Sequence, residues 1–152
     1  MRLSEWPERA PHQGSMTPKV LAVLEPVLVS LGAQPDPSCW VAWGEDPAAR
    51  YTVLVPTVAG LIQAVVRVNV PQEGPRASGK LLRWNRVQVG ELAVETAAGH
   101  RLISFQCEGV VLRGSDDEVA TITAFALEVF AAMDGRPVPD ARPVEPAKRK
   151  GR

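Results

Sequence analysis

The chain has 152 residues, 45% of them apolar, enough for one folded domain with a real core. Its 17 Lys and Arg balance its 17 Asp and Glu, but unevenly: residues 1–134 carry 11 cations against 15 anions, and residues 135–152 carry 6 against 2. An acidic body argues against a nucleic-acid groove in the body and against direct nucleic-acid binding in general, while the basic tail suits weak, salt-sensitive contact with phosphate or an acidic protein.

No apolar run reaches the ~20 residues of a membrane span, and the first residues lack the apolar centre of a secretory signal. Membrane association is therefore not expected, and the cytoplasm is the expected location. Cys39 and Cys107 are the only cysteines and lack a C-x-x-C spacing. They read as reduced, small hydrophobes.

Residues 1–16 mix prolines, glycine and charges and predict a flexible arm, with Trp6 as its one residue suited to docking. Thr17-Pro18 then opens a helix, Thr as cap and Pro at the first helical position. Val20, Leu24, Val27 and Leu31 form its apolar stripe and Gly32 its end. Pro26 falls inside this helix and should kink it or free a carbonyl.

After the breaker at 33–38, residues 39–44, 50–56 and 60–70 read as three strands of an antiparallel meander, since their connections are too short for parallel crossovers. Trp40 and Trp43 fall on opposite faces of the first strand. Both can be buried only if that strand is covered on both sides, so one of them is a candidate for an interface.

Residues 71–79 read as a linker, and KLLRWNR at 80–86 as a short docked helix. GELAVET at 90–96 alternates Leu92 and Val94 against Glu91, Ala93 and Glu95. RLISFQCEGVVL at 101–112 alternates Ile103, Phe105 and Cys107 against Leu102, Ser104 and Gln106. The two make a hairpin. Ser115 and Glu118 then form a capping box before an apolar helical face from Val119 to Met133, ended by Gly135. The remaining 135–152 is proline-rich with little to bury, and predicts a disordered tail whose Lys148, Arg149, Lys150 and Arg152 are candidates for phosphate or acidic-partner contact.

No catalytic constellation emerges. His12 and His100 sit in the arm and a turn, the glycines fit no phosphate-loop spacing, and no serine stands in a G-x-S-x-G context. The acids at 116–118 are explained by helix capping. A non-enzyme without cofactor or metal is the expectation.

The sequence from KLLRWNR through GELAVETAAGHRLISFQCEGVVL to SDDEVATITAFALEVFAAM resembles the YbjN family, whose fold is that of the type III secretion chaperones. The resemblance covers residues 17–134. It implies an α+β domain with one five-stranded antiparallel sheet, element order α-β-β-β-α-β-β-α, and homodimerisation through the short second helix and the strand beside it. On this chain those positions are Leu81, Leu82, Trp84, Val87, Leu92 and Val94. The function expected is that of a dimeric adaptor or chaperone-like protein binding a client polypeptide, with a nucleic-acid-handling protein as one candidate client. The alternative is a small-ligand or direct nucleic-acid binder working through the basic tail.

Overall fold

A computed structural model describes residues 2–5, 16–46 and 48–135, the Glu45 side chain aside. The first helix, α1 (Pro18–Ser30), starts as its sequence demands: the Thr17 hydroxyl accepts from the Val20 N–H at 3.2 Å. Pro26 does not end it. Pro26 and Ala22, the residue whose carbonyl it leaves without a helical donor, both lie on the exposed side, where water can satisfy that carbonyl. Val20, Leu24 and Leu28 form the buried stripe.

Among the described residues seven strands follow, in two antiparallel meanders. The first sheet holds β1 (Val41–Asp46), β2 (Arg50–Pro56), β3 (Gly60–Val70) and β4 (Gly74–Arg83), in that order. The second holds β5 (Val89–Ala97), β6 (His100–Cys107) and β7 (Val110–Ser115). The helix α2 (Asp117–Met133) closes the described chain.

The α+β class and antiparallel pairing agree with the sequence; the single five-stranded sheet does not. Two misread segments account for the difference. Residues 74–83, divided in the sequence reading between a linker and a helix, form β4 along the whole outer edge of β3, with Gly79 opposite Ala64 and Leu82 opposite Leu61. Only Trp84–Arg86 is helical, as a single 3₁₀ turn. Residues 101–112 are two strands, because Glu108 and Gly109 both take positive φ (52° and 77°) and reverse the chain.

The first sheet is covered on two sides by different elements. Tyr51, Val53, Val55, Ile62, Ala64 and Val66 join the α1 stripe in one core cluster. Val41, Leu54 and Leu61, from the opposite face, join Ile103, Phe105 and Leu112 of the second sheet and Val119, Phe125 and Val129 of α2 in another. Phe105 lies at its centre, edge-to-face with Phe125 and Phe130 at 6.3 and 5.6 Å between centroids. α2 therefore fills the angle between the two sheets.

The helices approach closely where side chains vanish. A methyl group at Gly79 would stand 3.1 Å from Val27 of α1 and from Leu31, which caps that helix. One at Gly114 would stand 2.6 Å from the Glu118 Cβ and 2.9 Å from Ile122 of α2. At the start of the chain, in the stretch read as a flexible arm, Leu3 is buried in the α1 cluster. Its neighbour Ser4 binds Asp36 through backbone and hydroxyl at 2.8 and 2.7 Å.

Candidate functional site

The candidate interface residues divide into two groups. Leu81 and Leu82 are consecutive on a strand, so they point to opposite faces, Leu81 packing against the α1 cluster and Leu82 against the α2 cluster. Val87 is buried in the α2 cluster. Trp84 donates its indole N–H to the Thr57 carbonyl at 2.9 Å and so pins the β2–β3 turn, whose Thr57 hydroxyl already bridges to Gly60. Trp40 is buried against α1, 9% exposed. These five residues hold the chain together internally.

Leu92, Val94 and Trp43 face solvent instead, at 37%, 55% and 40% exposure. The reason is the placement of α2. Leu92 and Val94 stand opposite Phe105 and Ile103, on the same face of the second sheet, yet those partners are buried and β5 is not. α2 covers β6 and β7 and leaves β5, the outermost strand, bare on that face.

A bulge sets this arrangement. Val89 pairs with Cys107 and Leu92 with Phe105, so Gly90 and Glu91 together oppose Gln106. The extra residue keeps Val89 and Leu92 on one face, and Gly90 suits it because an added Cβ would stand 2.9 Å from the Gln106 Cβ. The result is a nine-residue edge strand with an apolar face, Leu92 and Val94, and an acidic one, Glu91 and Glu95.

On the outer face of the same sheet lies an open groove of about 420 Å³, lined among others by Glu95, Leu102, Ser104, Arg113 and Glu118. Glu118 is committed to the chain itself, accepting from the Ser115 N–H at 3.1 Å. That is the returning half of the expected capping box. The cap position, however, belongs to Asp116, which makes no side-chain bond to the helix. Its carboxylate instead meets His100 Nδ1 at 2.9 Å and the Arg101 N–H at 3.3 Å, tying the β5–β6 turn to the start of α2.

Cys107 is fully buried, and burial, with a lesser push from Glu108, raises its thiol to about 12. It stays protonated at neutral pH and is no nucleophile. Among the described residues no group of three or more His, Cys, Asp and Glu is placed to hold a metal ion, and no helix is long and apolar enough to cross a membrane. Trp6, His12 and the basic residues Lys148, Arg149, Lys150 and Arg152 lie outside the described residues. No family model, curated protein or solved structure matches this chain.

Proposed function

We propose that this chain is a non-enzymatic, protein-binding adaptor whose docking edge is β5, and that the first occupant of that edge is a second copy of the chain. What supports the reading is one observation: a nine-residue edge strand presents Leu92 and Val94 on the face whose Ile103, Phe105, Cys107 and Leu112 are buried on the other two strands of its sheet. An open edge of unpaired N–H and C=O groups with apolar side chains above it is a template for another strand. The same edge would accept a client polypeptide in place of the second copy. The chaperone-like part of the reading, and the link to the YbjN family, rest on sequence resemblance alone.

Charge selects the register of self-pairing. A two-fold axis at Ala93 would set Glu91 directly against Glu95 twice over, which like-charge repulsion disfavours. Moving the axis to Val94 sets Val94 against itself, Leu92 against Thr96 and Ala93 against Glu95. That register joins two three-stranded sheets into one of six strands. Covering four partly exposed side chains contributes about 1–2 kcal/mol each, set against an association cost of about 4–15 kcal/mol, so the strand hydrogen bonds must supply the rest and the dimer is a weak one.

Sedimentation velocity over a concentration series tests this. The wild type is expected to shift from monomer to dimer as concentration rises through the micromolar range, and Val94→Lys to remain monomeric with an unchanged far-ultraviolet spectrum. A wild type that stays monomeric throughout, or a Val94→Lys variant that still dimerises, overturns β5 self-pairing.

A further inference from the structure

The α2-facing side of the first sheet is only half covered. α2 seals Val41, Leu54 and Leu61, and beyond that line the face is open. Two rows of side chains cross the open part, about 7 Å apart along the strands. One row runs Trp43, Thr52, Val65, Ser78, as the strand registers dictate. The other contains Arg50, Arg67 and Arg76, each directly opposite the next on adjacent strands. Tyr51 and Val66 are buried on the α1 side, which fixes Arg50 and Arg67 on this one. Lys80, exposed, flanks the rows on the same face, opposite Gln63.

Three like charges directly opposed across neighbouring strands are unfavourable for the fold itself. Local acids relieve the ends of the row: Asp46 opposes Arg50, and Glu73 pairs with Arg76 at 2.6 Å. The ion pairs described are Arg76–Glu73 and His100–Asp116, and neither includes Arg67, the middle of the row. At the β1 end of the neighbouring row, one row over from Arg50, stands Trp43, 40% exposed on an open sheet. A row of cations next to an exposed aromatic, with hydroxyls between, is what a single-stranded polyanion with flat bases requires: charge for its backbone, a ring face for stacking.

We propose that this open sheet face binds single-stranded nucleic acid, Arg50, Arg67 and Arg76 holding phosphates and Trp43 stacking a base. The acidic balance of the body argues against a general affinity for nucleic acid, but apart from Asp46 and Glu73 at the ends of the row, many of its acids lie away from this face, on β5 and the start of α2 among other places. The platform belongs to the first sheet and does not involve the β5 edge.

The test is fluorescence anisotropy of the full-length chain with a labelled oligothymidine of about twenty nucleotides, across a salt series. Arg67→Glu is expected to weaken binding at least about tenfold and to lower the slope of log affinity against log salt by about 0.7 or more, the share of one lost phosphate contact. Trp43→Ala is expected to weaken binding about tenfold, the contribution of one stacked base, with little change in slope. Arg67→Glu should also unfold at a higher temperature than the wild type, since it turns a repulsive row into an alternating one. Arg67→Gln serves as a second variant without added negative charge, with a smaller loss expected.

Several results would overturn the proposal. They are absence of wild-type binding at low salt, binding unchanged by both Arg67→Glu and Trp43→Ala, and loss of binding only when Lys148, Arg149 and Lys150 are replaced by alanine. Displacement by polyglutamate as readily as by unlabelled oligonucleotide would do so too, because it would identify the site as one for acidic polypeptides.

Discussion

The indole of Trp84 donates to the Thr57 carbonyl across 27 positions of sequence, and that bond fastens the end of β4 to the β2–β3 turn. A half-buried hydrogen bond of this kind contributes about 1 kcal/mol net. Trp84→Phe keeps most of the ring and removes the donor, so urea unfolding is expected to show a loss of about 1 kcal/mol with an unchanged denaturant slope. A loss near zero would mean that Trp84 acts by packing alone. Sequence reading found Trp84 as an ordered tryptophan but offered it to a partner, because its acceptor is a backbone carbonyl in a distant turn and leaves no mark on the local pattern. Leu81 and Leu82 stand on a strand where a short helix is expected. In a helix two adjacent leucines diverge by about 100°, leaving one for a partner, whereas in a strand they diverge to opposite faces, and here each face has its own core.

Among the elements, α1, the first three strands, the β5–β6 hairpin and α2 were legible, because each carries its own periodicity or cap. β4 was not. Its buried-side positions are Ala77, Gly79 and Leu81, and two of the three are too small to register as strand formers. They are small because α1 lies against them: the glycine that looked like linker punctuation is the contact point of a helix. β7 was hidden by a Glu-Gly turn in place of the Asn-Gly or Asp-Gly that announces a two-residue hairpin. Gly114 performs for α2 what Gly79 performs for α1. Gly114→Ala would place its methyl against the Glu118 Cβ and Ile122, and the helix must shift to admit it. The expected cost is about 1–3 kcal/mol by thermal or urea unfolding, and a variant as stable as the wild type would show that α2 can move off β7 freely.

At the scale of the whole molecule, the first sheet is the shared wall. Val53 and Val55 face α1 while Leu54, between them, faces α2, and Ile62 and Leu61 divide in the same way on β3, so the two core clusters meet back to back through the sheet. Unfolding either side removes support from the other, and the described domain is expected to unfold in a single transition. Leu24→Ala in the α1 cluster and Leu54→Ala in the α2 cluster should each cost about 2–5 kcal/mol, and each should shift the same single transition whether followed by circular dichroism or by tryptophan fluorescence. Two separated transitions, with Leu24→Ala moving only one, would show that the clusters are independent. The candidate binding surfaces follow from this layout rather than from any local motif. Trp43, Arg67, Leu92 and Val94 are exposed because α2 is one helix wide and must cover parts of two sheets, a fact that exists only once the chain is folded.

That division of α2 between two sheets also fixes an order of events during synthesis. α1 and all four strands of the first sheet are complete by Arg83, with every strand pairing made between neighbours in the chain. The apolar side that awaits α2, including Val41, Leu54 and Leu61, stays bare while three more strands emerge from the ribosome. A nascent chain of this length is a folded half-molecule with an open hydrophobic wall, which makes the interval before residue 117 its time of greatest exposure to holdase chaperones and to misassembly.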